Sequence, residues 1–244
     1  LPKTKITKDE AKKMMNRLKN KGKRFKLSYD GQVLRIINLP KNYKDYPYIL
    51  ASFPNSYYEK KMWYTKQRTK KDKTPAQTAK ILSDEDKDMI CAKIKKNVEL
   101  RLNVDYRKTF TSKWKSDLMN TYIDTNKQKS VNAYIKAAKA RKVVVSSGEV
   151  IVDPSSLWME SSGTTCYARV YVKFRVKNGN IPSAKSKYQN EVIYGSYTAI
   201  KKLPSKKSIT YADEIGCDIS YTNKKITSCG VAWNFDCIAD TFGK

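Results

Sequence analysis

The sequence predicts an α+β fold in which helices pack on a curved antiparallel sheet, with a small α+β section at the N-terminus. Between residues 83 and 138, apolar residues recur at steps of three and four, the spacing of a helix with one buried face. From residue 143 onward, apolar and polar residues alternate in runs with short connections, the pattern of neighbouring antiparallel strands. A chain of 244 residues is long enough for one large domain or two small ones.

The first section is predicted to span residues 1–74. Thr7 and Glu10 make a capping box at the start of a helix. Asp30 and Gly31 lie between two apolar-rich runs, which predicts a β-hairpin. The section therefore begins with a helix and continues into a small antiparallel sheet.

Two further runs of apolar and aromatic residues, 46–53 and 55–64, predict two more strands, separated by Pro54. A loop at residues 66–74 follows, with five basic side chains and one acidic one. This basic loop ends the first section.

The second section, residues 75–244, is predicted to hold three helices followed by an antiparallel meander, either as its own domain or continuous with the first. Ser83 has the hydroxyl of a helix cap, and the carboxylates at 84–86 suit the positive end of the helix dipole. The residues predicted to face the sheet are Ile90, Ile94, Val98 and Leu102 in the first helix, Phe110, Trp114, Leu118 and Tyr122 in the second, and Val131, Tyr134, Ile135 and Ala138 in the third.

Residues 166–176 show the clearest alternation in the chain. One set of side chains is apolar and is predicted to be buried: Cys166, Ala168, Val170, Val172, Phe174 and Val176. The other set is predicted to be exposed to solvent: Tyr167, Arg169, Tyr171, Lys173 and Arg175.

Other strands are predicted at 143–152, as one bent strand ending at Asp153 and Pro154, and at 191–200, 215–221 and 231–237. Helices followed by a long curved sheet resemble the cystatin-like and NTF2-like folds. This likeness concerns the fold and implies no function.

The charge of the chain favours an anionic partner. It carries 50 Lys and Arg against 23 Asp and Glu, a formal net charge of +27. Such a charge bears on partners rather than on fold, and it suits nucleic acid, anionic lipid or an anionic wall polymer. Lysine outnumbers arginine, which weakens the nucleic-acid interpretation because arginine makes the specific phosphate and base contacts. The alternative is a solvated surface without a particular partner.

Two sets of aromatic and basic residues are candidate binding surfaces. Tyr167, Arg169, Tyr171, Lys173 and Arg175 could stack bases and neutralise phosphates. One alternative is that these residue types are present because they favour strand formation and cross-strand pairing. The other is that the N-terminal section covers this face and makes it an interdomain surface.

The second candidate surface is a carbohydrate or peptide platform formed by Tyr57, Tyr58 and Trp63. Its alternative is the packing of a small sheet.

Enzyme chemistry has little support, and no cofactor or metal ligand set is predicted. The chain has no histidine, the usual general base and the commonest metal ligand. The carboxylates at 84–88 have a sufficient explanation in the helix start. No glycine-rich nucleotide-binding motif occurs. We therefore predict a protein that is not an enzyme, with a histidine-free hydrolase as the third alternative.

The chain has five cysteines, and three of them lie near the C-terminus: Cys217, Cys229 and Cys237. In an oxidising compartment two of these three could form a disulfide, and the pairing stays open. Cys91 is the candidate for a free thiol.

Five segments resemble uncharacterised secreted or surface-attached domains of clostridial-type Gram-positive bacteria, of the kind found beside copper-amine-oxidase N-terminal-like stalk domains. These segments are residues 46–50, 54–59, 150–155, 167–175 and 190–195. The resemblance implies export and a cell-envelope setting, and it brings no catalytic residues. The start at Leu1, without methionine, agrees with the expectation that a signal peptide has been removed.

The sequence thus predicts an exported, non-enzymatic binding or structural module at the cell envelope, with an anionic wall polymer or a glycan as partner. The alternative is a nucleic-acid-binding protein that uses the basic and aromatic sheet face. No run of apolar residues is long enough to span a membrane.

Overall fold

The computed structural model describes residues 13, 26–123, 127–178, 208–223, 225–231 and 237–241. The α-helices up to residue 78 are short, and those from residue 84 onward are longer. The helices are α1 (Asn55–Glu59), α2 (Trp63–Gln67), α3 (Pro75–Thr78), α4 (Asp84–Arg101), α5 (Ser112–Met119) and α6 (Lys127–Ala140), with a 3-10 turn at Tyr43–Asp45.

The strands form one antiparallel sheet. They are β1 (Val104–Asp105), β2 (Val144–Met159), β3 (Thr165–Asn178), β4 (Ser208–Thr222), β5 (Lys225–Val231) and β6 (Cys237–Thr241). Strand β1 lies between α4 and α5 in the chain, and the other strands follow α6. The strand order is β1-β2-β3-β4-β5; β2 to β5 form a meander, β1 pairs with β2 at one edge, and β6 returns to pair with β4. The predicted class, helices packed on a curved antiparallel sheet, is confirmed.

Helix α4 begins where its capping residues predict. The Ser83 hydroxyl accepts a hydrogen bond from the Asp86 amide at 3.1 Å, and the Asp86 carboxylate accepts one from the Ser83 amide at 3.2 Å. The second carboxylate oxygen of Asp86 accepts from the Ile226 amide on β5 at 3.0 Å. The helix cap therefore also fixes α4 to the sheet.

Helices α4, α5 and α6 bury their apolar faces on one side of the sheet, as predicted. The predicted positions that are buried are Ile90, Ile94, Val98, Leu102, Trp114, Leu118, Tyr122, Val131, Tyr134 and Ala138, of which Leu102 and Tyr122 lie just beyond the ends of α4 and α5. Phe110 and Ile135 are only partly buried. The buried positions pack in one cluster with the apolar side of β3, which contributes Cys166, Ala168, Val170, Val172 and Phe174. Each fully buried large apolar side chain contributes about 1.5–3 kcal/mol, so this cluster is the main core.

The N-terminal section packs on the opposite side of the sheet. Its aromatic and aliphatic side chains form a second cluster with Ile151 of β2 and Tyr171 of β3. The members from the N-terminal section are Ile49, Leu50, Phe53, Tyr57, Tyr58 and Met62. The sheet is thus covered on both faces over part of its length.

The two strands predicted at 46–53 and 55–64 are not formed. In the first run, Leu50 makes one isolated bridge to Leu34, and the second run is α1 and α2. The extended Pro54 caps α1, and the adjacent Tyr57 and Tyr58 are both fully buried. A strand would direct these two neighbours to opposite faces, whereas one helical turn lets both reach the same core.

The hairpin predicted at Asp30 and Gly31 is present as a minimal turn. Leu27 and Val33 form an antiparallel bridge across it. Gly31 has a φ of 82°, a left-handed conformation that suits glycine.

Strand β2 continues beyond its predicted end at Asp153 and Pro154. The pairing with β3 shifts register between Asp153 and Trp158, so Pro154 lies within an irregular stretch that does not need its amide for the ladder. The predicted end of this strand is therefore wrong, because a bulge allows a strand to continue past a proline.

Three predicted elements lie wholly or partly outside the described residues. These are the first helix, apart from the helical Lys13, the strand at 191–200, and residues 232–236 of the strand predicted at 231–237. Among the described residues, no helix is both long and apolar enough to cross a bilayer.

Candidate functional site

A row of three buried charged residues crosses the sheet beneath the N-terminal section. Asp153 on β2 lies opposite Arg169 on β3, and Arg169 lies opposite Glu214 on β4. All three side chains are at most 3% exposed. Arg169 Nε lies 3.5 Å from Glu214 Oε1. Buried charges of this kind are tolerated when they are paired and hydrogen-bonded.

Arg169 holds the C-terminal end of α1. Its guanidinium donates hydrogen bonds to the backbone carbonyls of Tyr57 and Tyr58, and to that of Lys60 at 2.5 Å. These carbonyls belong to the last turn of α1 and its cap, where the helix dipole is negative. The cation therefore satisfies carbonyls that the helix itself leaves without a partner.

Glu214 holds the N-terminal end of α2 in the complementary way. Its carboxylate accepts hydrogen bonds from the Thr65 amide at 2.9 Å and from the Thr65 hydroxyl. Thr65 lies in the first turn of α2, the positive end of that dipole. One ion pair of the sheet thus anchors two helices of the N-terminal section.

The predicted binding face of β3 is buried over most of its length. Tyr167, Arg169 and Tyr171 are 6%, 3% and 9% exposed, so the prediction that they face solvent is wrong. The cause is the N-terminal section, which covers this end of the sheet, as the second alternative for this face supposed. Lys173 and Arg175 lie further along and are exposed as predicted.

The ring contacts show how the covering is made. Tyr167 stacks on Trp158 with ring centroids 4.4 Å apart, and the ring centroid of Tyr64 on α2 lies 4.7 Å from that of Tyr167. The ring centroids of Phe53 and Tyr171 are 5.7 Å apart. These aromatic rings are used in packing, and they are not accessible for stacking on bases.

The second predicted surface is likewise buried. Tyr57 and Tyr58 are both 0% exposed, so they cannot form a carbohydrate or peptide platform. Tyr57 stacks on Phe53 at 4.2 Å, and the Tyr58 hydroxyl accepts a hydrogen bond from the Leu50 amide at 2.9 Å. Trp63 begins α2, and its side chain lies outside the described part of the structure.

Asp153 differs from the other two members of the row. Its Oδ1 accepts hydrogen bonds from the amide and hydroxyl of Ser155, at 2.9 and 2.6 Å, whereas its Oδ2 has no hydrogen-bond partner among the described residues. Burial raises the pKa of this carboxyl to about 6, although the bonds from Ser155 and the charge of Arg169 act in the opposite direction. Asp153 is therefore a buried acid that changes its charge near neutral pH.

The loop predicted at residues 66–74 begins within α2, which ends at Gln67, and the name basic loop refers to all of residues 66–74. Its single acidic residue folds it. Asp72 Oδ2 accepts hydrogen bonds from the amide and hydroxyl of Thr69, at 2.7 and 2.9 Å. Asp72 Oδ1 accepts from the amide of Ser161, in the turn between β2 and β3, at 2.8 Å. Partial burial opposes the charged form, but these bonds lower the pKa of Asp72 below its usual value.

The lysines of this loop remain exposed. Lys66, Lys70, Lys71 and Lys73 all have exposed side chains, while Arg68 lies 4.0 Å from the Asp45 carboxylate. The amide of Lys73 donates to the Met159 carbonyl at 2.9 Å, which ties the end of the loop to β2. The single carboxylate within the loop is occupied by backbone and hydroxyl donors, so the four lysines form a positive surface on an ordered loop.

A cavity of about 260 Å³ lies between α4 and β2. Asp88, Cys91 and Lys95 line it from α4, and residues 150–152 line it from β2. The Asp88 carboxylate accepts a hydrogen bond from the Tyr29 hydroxyl at 3.1 Å. None of the predicted binding residues lines this cavity. The sequence signal that could have indicated it is the spacing of Asp88, Cys91 and Lys95, which places them on one face of a helix.

Three cysteines lie together on the helix side of the sheet. Cys166 and Cys217 are opposite each other on β3 and β4, and both are buried. Cys229 on β5 is half-buried, and all three are free thiols. Cys237 lies in β6, opposite Glu214, and its side chain lies outside the described part of the structure. Of the three predicted disulfide candidates, the structure thus brings Cys217 and Cys229 together.

A metal centre has no support in the described residues, which contain no cluster of three or more Cys, Asp or Glu side chains arranged to hold an ion.

Comparisons with known proteins leave the family open. No protein-family model matches the chain, and no curated protein matches it. One similar solved structure is an NTF2-like protein involved in plasmid conjugation, with 8% identity and a TM-score of 0.32 over 63% of this chain. This chain spans 48% of that protein, less than half of its length.

A second solved structure is a candidate polyketide cyclase of Xanthomonas campestris pv. campestris, with 12% identity and a TM-score of 0.20. The match covers 57% of this chain and 93% of that one. Both superpositions are too loose to support an argument about function, so the architecture is described from its own sheet and helices.

Proposed function

We propose that this chain is a non-catalytic binding module of the cell envelope that holds an anionic polymer by charge, with the basic loop as its contact surface. The observation that supports this most directly is the ordered loop with exposed Lys66, Lys70, Lys71 and Lys73. A polymer of repeating phosphates or carboxylates matches several point charges on one surface.

The burial of the aromatic residues favours charge over stacking. Tyr57, Tyr58, Tyr167 and Tyr171 are buried in the packing of the N-terminal section on the sheet. Nucleic-acid-binding sheets and single-strand channels use exposed aromatic rings for base stacking. A partner recognised by its backbone charge therefore agrees better with the exposed residues than a partner recognised by its bases.

The buried carboxylates also agree with a non-catalytic role. Asp153 and Glu214 lie beneath the N-terminal section, and Glu214 is engaged by Arg169 and Thr65. A hydrolase would need a carboxylate within reach of substrate, and neither of these two is exposed. Export and the envelope setting are part of the proposal and are supported by the resemblance of residues 46–50 and 167–175 to secreted surface domains.

The test is binding of the whole chain to a poly(glycerol phosphate) of the wall type, measured over a range of salt concentrations. The variant K66Q/K70Q/K71Q/K73Q should weaken binding at low salt at least tenfold. It should also reduce the slope of log K against log salt, by about 0.7–0.9 for each phosphate that the variant no longer neutralises.

The matched control is K129Q/K136Q/K139Q/K142Q, which removes the same charge from exposed lysines on α6 and just after it. It should keep most of the affinity. Equal losses in the two variants would show that net charge alone drives binding and would contradict a site at the loop. If the chain bound single-stranded DNA more tightly than poly(glycerol phosphate) of equal charge, the nucleic-acid alternative would be supported instead.

A further inference from the structure

The thiols of Cys217 and Cys229 are neighbours across two strands. In the register of β4 and β5, Cys217 lies opposite Val231 and Cys229 lies opposite Ile219. The two cysteines are therefore diagonal neighbours on the same face of the sheet. Cys217 Sγ donates to the Asp218 carbonyl at 3.9 Å, and the register of the two strands places its side chain next to that of Cys229.

The two thiols differ in their access to solvent. Cys217 is 0% exposed, whereas Cys229 is only half-buried and its Sγ lies 3.9 Å from the Met89 carbonyl on α4. An external reagent consequently meets Cys229 first. Cys217 is shielded from such a reagent by its burial.

The surroundings also favour a reactive sulfur at Cys229. The neighbouring Cys217 thiol, as a donor, and the charge of Lys93 outweigh partial burial and lower the pKa of Cys229 below its usual value. The neighbouring Cys229 and burial raise the pKa of Cys217 well above its usual value. The thiolate is the nucleophile in disulfide exchange, so half-exposed Cys229 is suited to attack and Cys217 to resolve the product.

We infer that Cys217 and Cys229 form a dithiol site that reacts with small-molecule disulfides and closes to an intramolecular disulfide. In the first step, Cys229 Sγ attacks one sulfur of the small disulfide, whose sulfur–sulfur bond breaks and releases one half as a thiolate. In the second step, Cys217 loses its proton to solvent, and its sulfur attacks Cys229 Sγ and releases the other half. The protein dithiol loses two electrons and two protons, and the small disulfide becomes two thiols.

Two other cysteines could compete for Cys217. Cys166 lies opposite it on β3 but is 0% exposed, and burial raises the pKa of its thiol to about 12. Cys237 lies opposite Glu214, and Glu214 precedes Cys217 by three positions on β4. Cys237 is therefore not directly opposite Cys217. Attack from solvent therefore favours the linkage that begins at Cys229.

The experiment exposes the reduced full chain to oxidised glutathione at neutral pH, blocks the remaining thiols, and maps the linkages by mass spectrometry. The wild type should form a linkage between Cys217 and Cys229. The variant C217S should instead accumulate a stable mixed disulfide with glutathione at Cys229. In a second variant, C217A, Cys229 should react with a thiol-alkylating reagent about tenfold more slowly, because alanine offers no donor to the thiolate and the thiolate fraction falls.

The control variant is C91S, which removes a half-buried thiol on α4 and should oxidise as the wild type does. The variant C229S should incorporate glutathione at Cys217 at least tenfold more slowly. A predominant linkage between Cys166 and Cys217 would overturn the inference, as would the absence of any linkage in the wild type. The wild-type map decides this even if a variant fails to fold, and neither result depends on the basic loop.

Discussion

Arg169 and Glu214 lie opposite each other on β3 and β4, and each anchors a different helix of the N-terminal section. Arg169 binds the carbonyls at the end of α1, and Glu214 binds the amide of Thr65 at the start of α2. The sign of each charge is opposite to that of the helix end it contacts. This buried ion pair therefore also fixes the N-terminal section to the sheet.

Removing one member of this pair should destabilise the protein strongly. We expect R169M to lower the free energy of unfolding by about 3–5 kcal/mol, because it leaves Glu214 buried without its cation and leaves the α1 carbonyls without donors. Chemical denaturation followed by tryptophan fluorescence measures this.

The matched control is K173M, which changes an exposed cation on the same face of the same strand. It should alter stability by no more than about 0.5 kcal/mol. The double variant R169M/E214M should recover part of the loss, since it removes both buried charges. Equal effects of R169M and K173M would contradict the anchoring role.

Asp153 should make stability depend on pH between about 4 and 6. Its pKa in the folded protein is raised to about 6 by burial, above the value near 4 that it has when unfolded. The stability associated with the neutral carboxyl is therefore fully present below the unfolded pKa, and it is lost as pH rises through the folded pKa. The difference amounts to about 3 kcal/mol, because one pKa unit corresponds to about 1.4 kcal/mol.

Comparing the pH dependence of wild type and D153N measures this contribution. Between pH 4 and 6, the free energy of unfolding should fall less in D153N than in the wild type. D105N is a useful control, since the hydrogen bonds from Arg107 lower the pKa of Asp105 to about 2 despite slight desolvation. D105N should change the pH dependence of stability only below about pH 4, where the wild type loses the stability that comes from the charged form. An unchanged decline in D153N would show that Asp153 does not titrate in this range.

Asp72 provides a test that separates loop structure from charge. D72N removes a negative charge beside Lys71 and Lys73, so charge alone predicts tighter binding of an anionic polymer. If the carboxylate orders the loop through Thr69 and Ser161, the weaker acceptor should instead reduce affinity several-fold.

Hydrogen exchange at the amides of Thr69 and Ser161 reports on the loop directly, and it should become faster in D72N. D45N is the matched control, because it removes a carboxylate that lies outside the loop and close to Arg68. The amides of Thr69 and Ser161 donate to Asp72, so their exchange should not change in D45N. Tighter polymer binding by D72N would contradict the role of the ordered loop.

Local patterns account for the parts of the fold that were predicted. The Ser83 hydroxyl and the carboxylates that follow it predicted the start of α4, and the structure adds that Asp86 completes a capping box with Ser83. Ile90, Ile94 and Val98 follow the helical period and are buried. Nearest neighbours in the chain decide such features, and no distant segment is needed to infer them.

The candidate site could be predicted only in part, because its members are distant in sequence. Arg169 and the Tyr57 carbonyl are separated by 112 positions, and Thr65 and Glu214 by 149. The pattern at 55–64 suggested a strand because aromatic residues favour strands, but packing against the sheet selected two short helices. Tertiary packing outweighed local propensity at these positions.

By itself, the sequence determined the class of the fold, the buried faces of α4 to α6, the apolar side of β3 and the strong positive charge. The tertiary structure decided what covers the other side of β3, and it buried Tyr167, Arg169 and Tyr171 while leaving Lys173 and Arg175 exposed. The physical reason is that alternation distinguishes the two faces of a strand, whereas the partner of each face depends on which distant segment packs there.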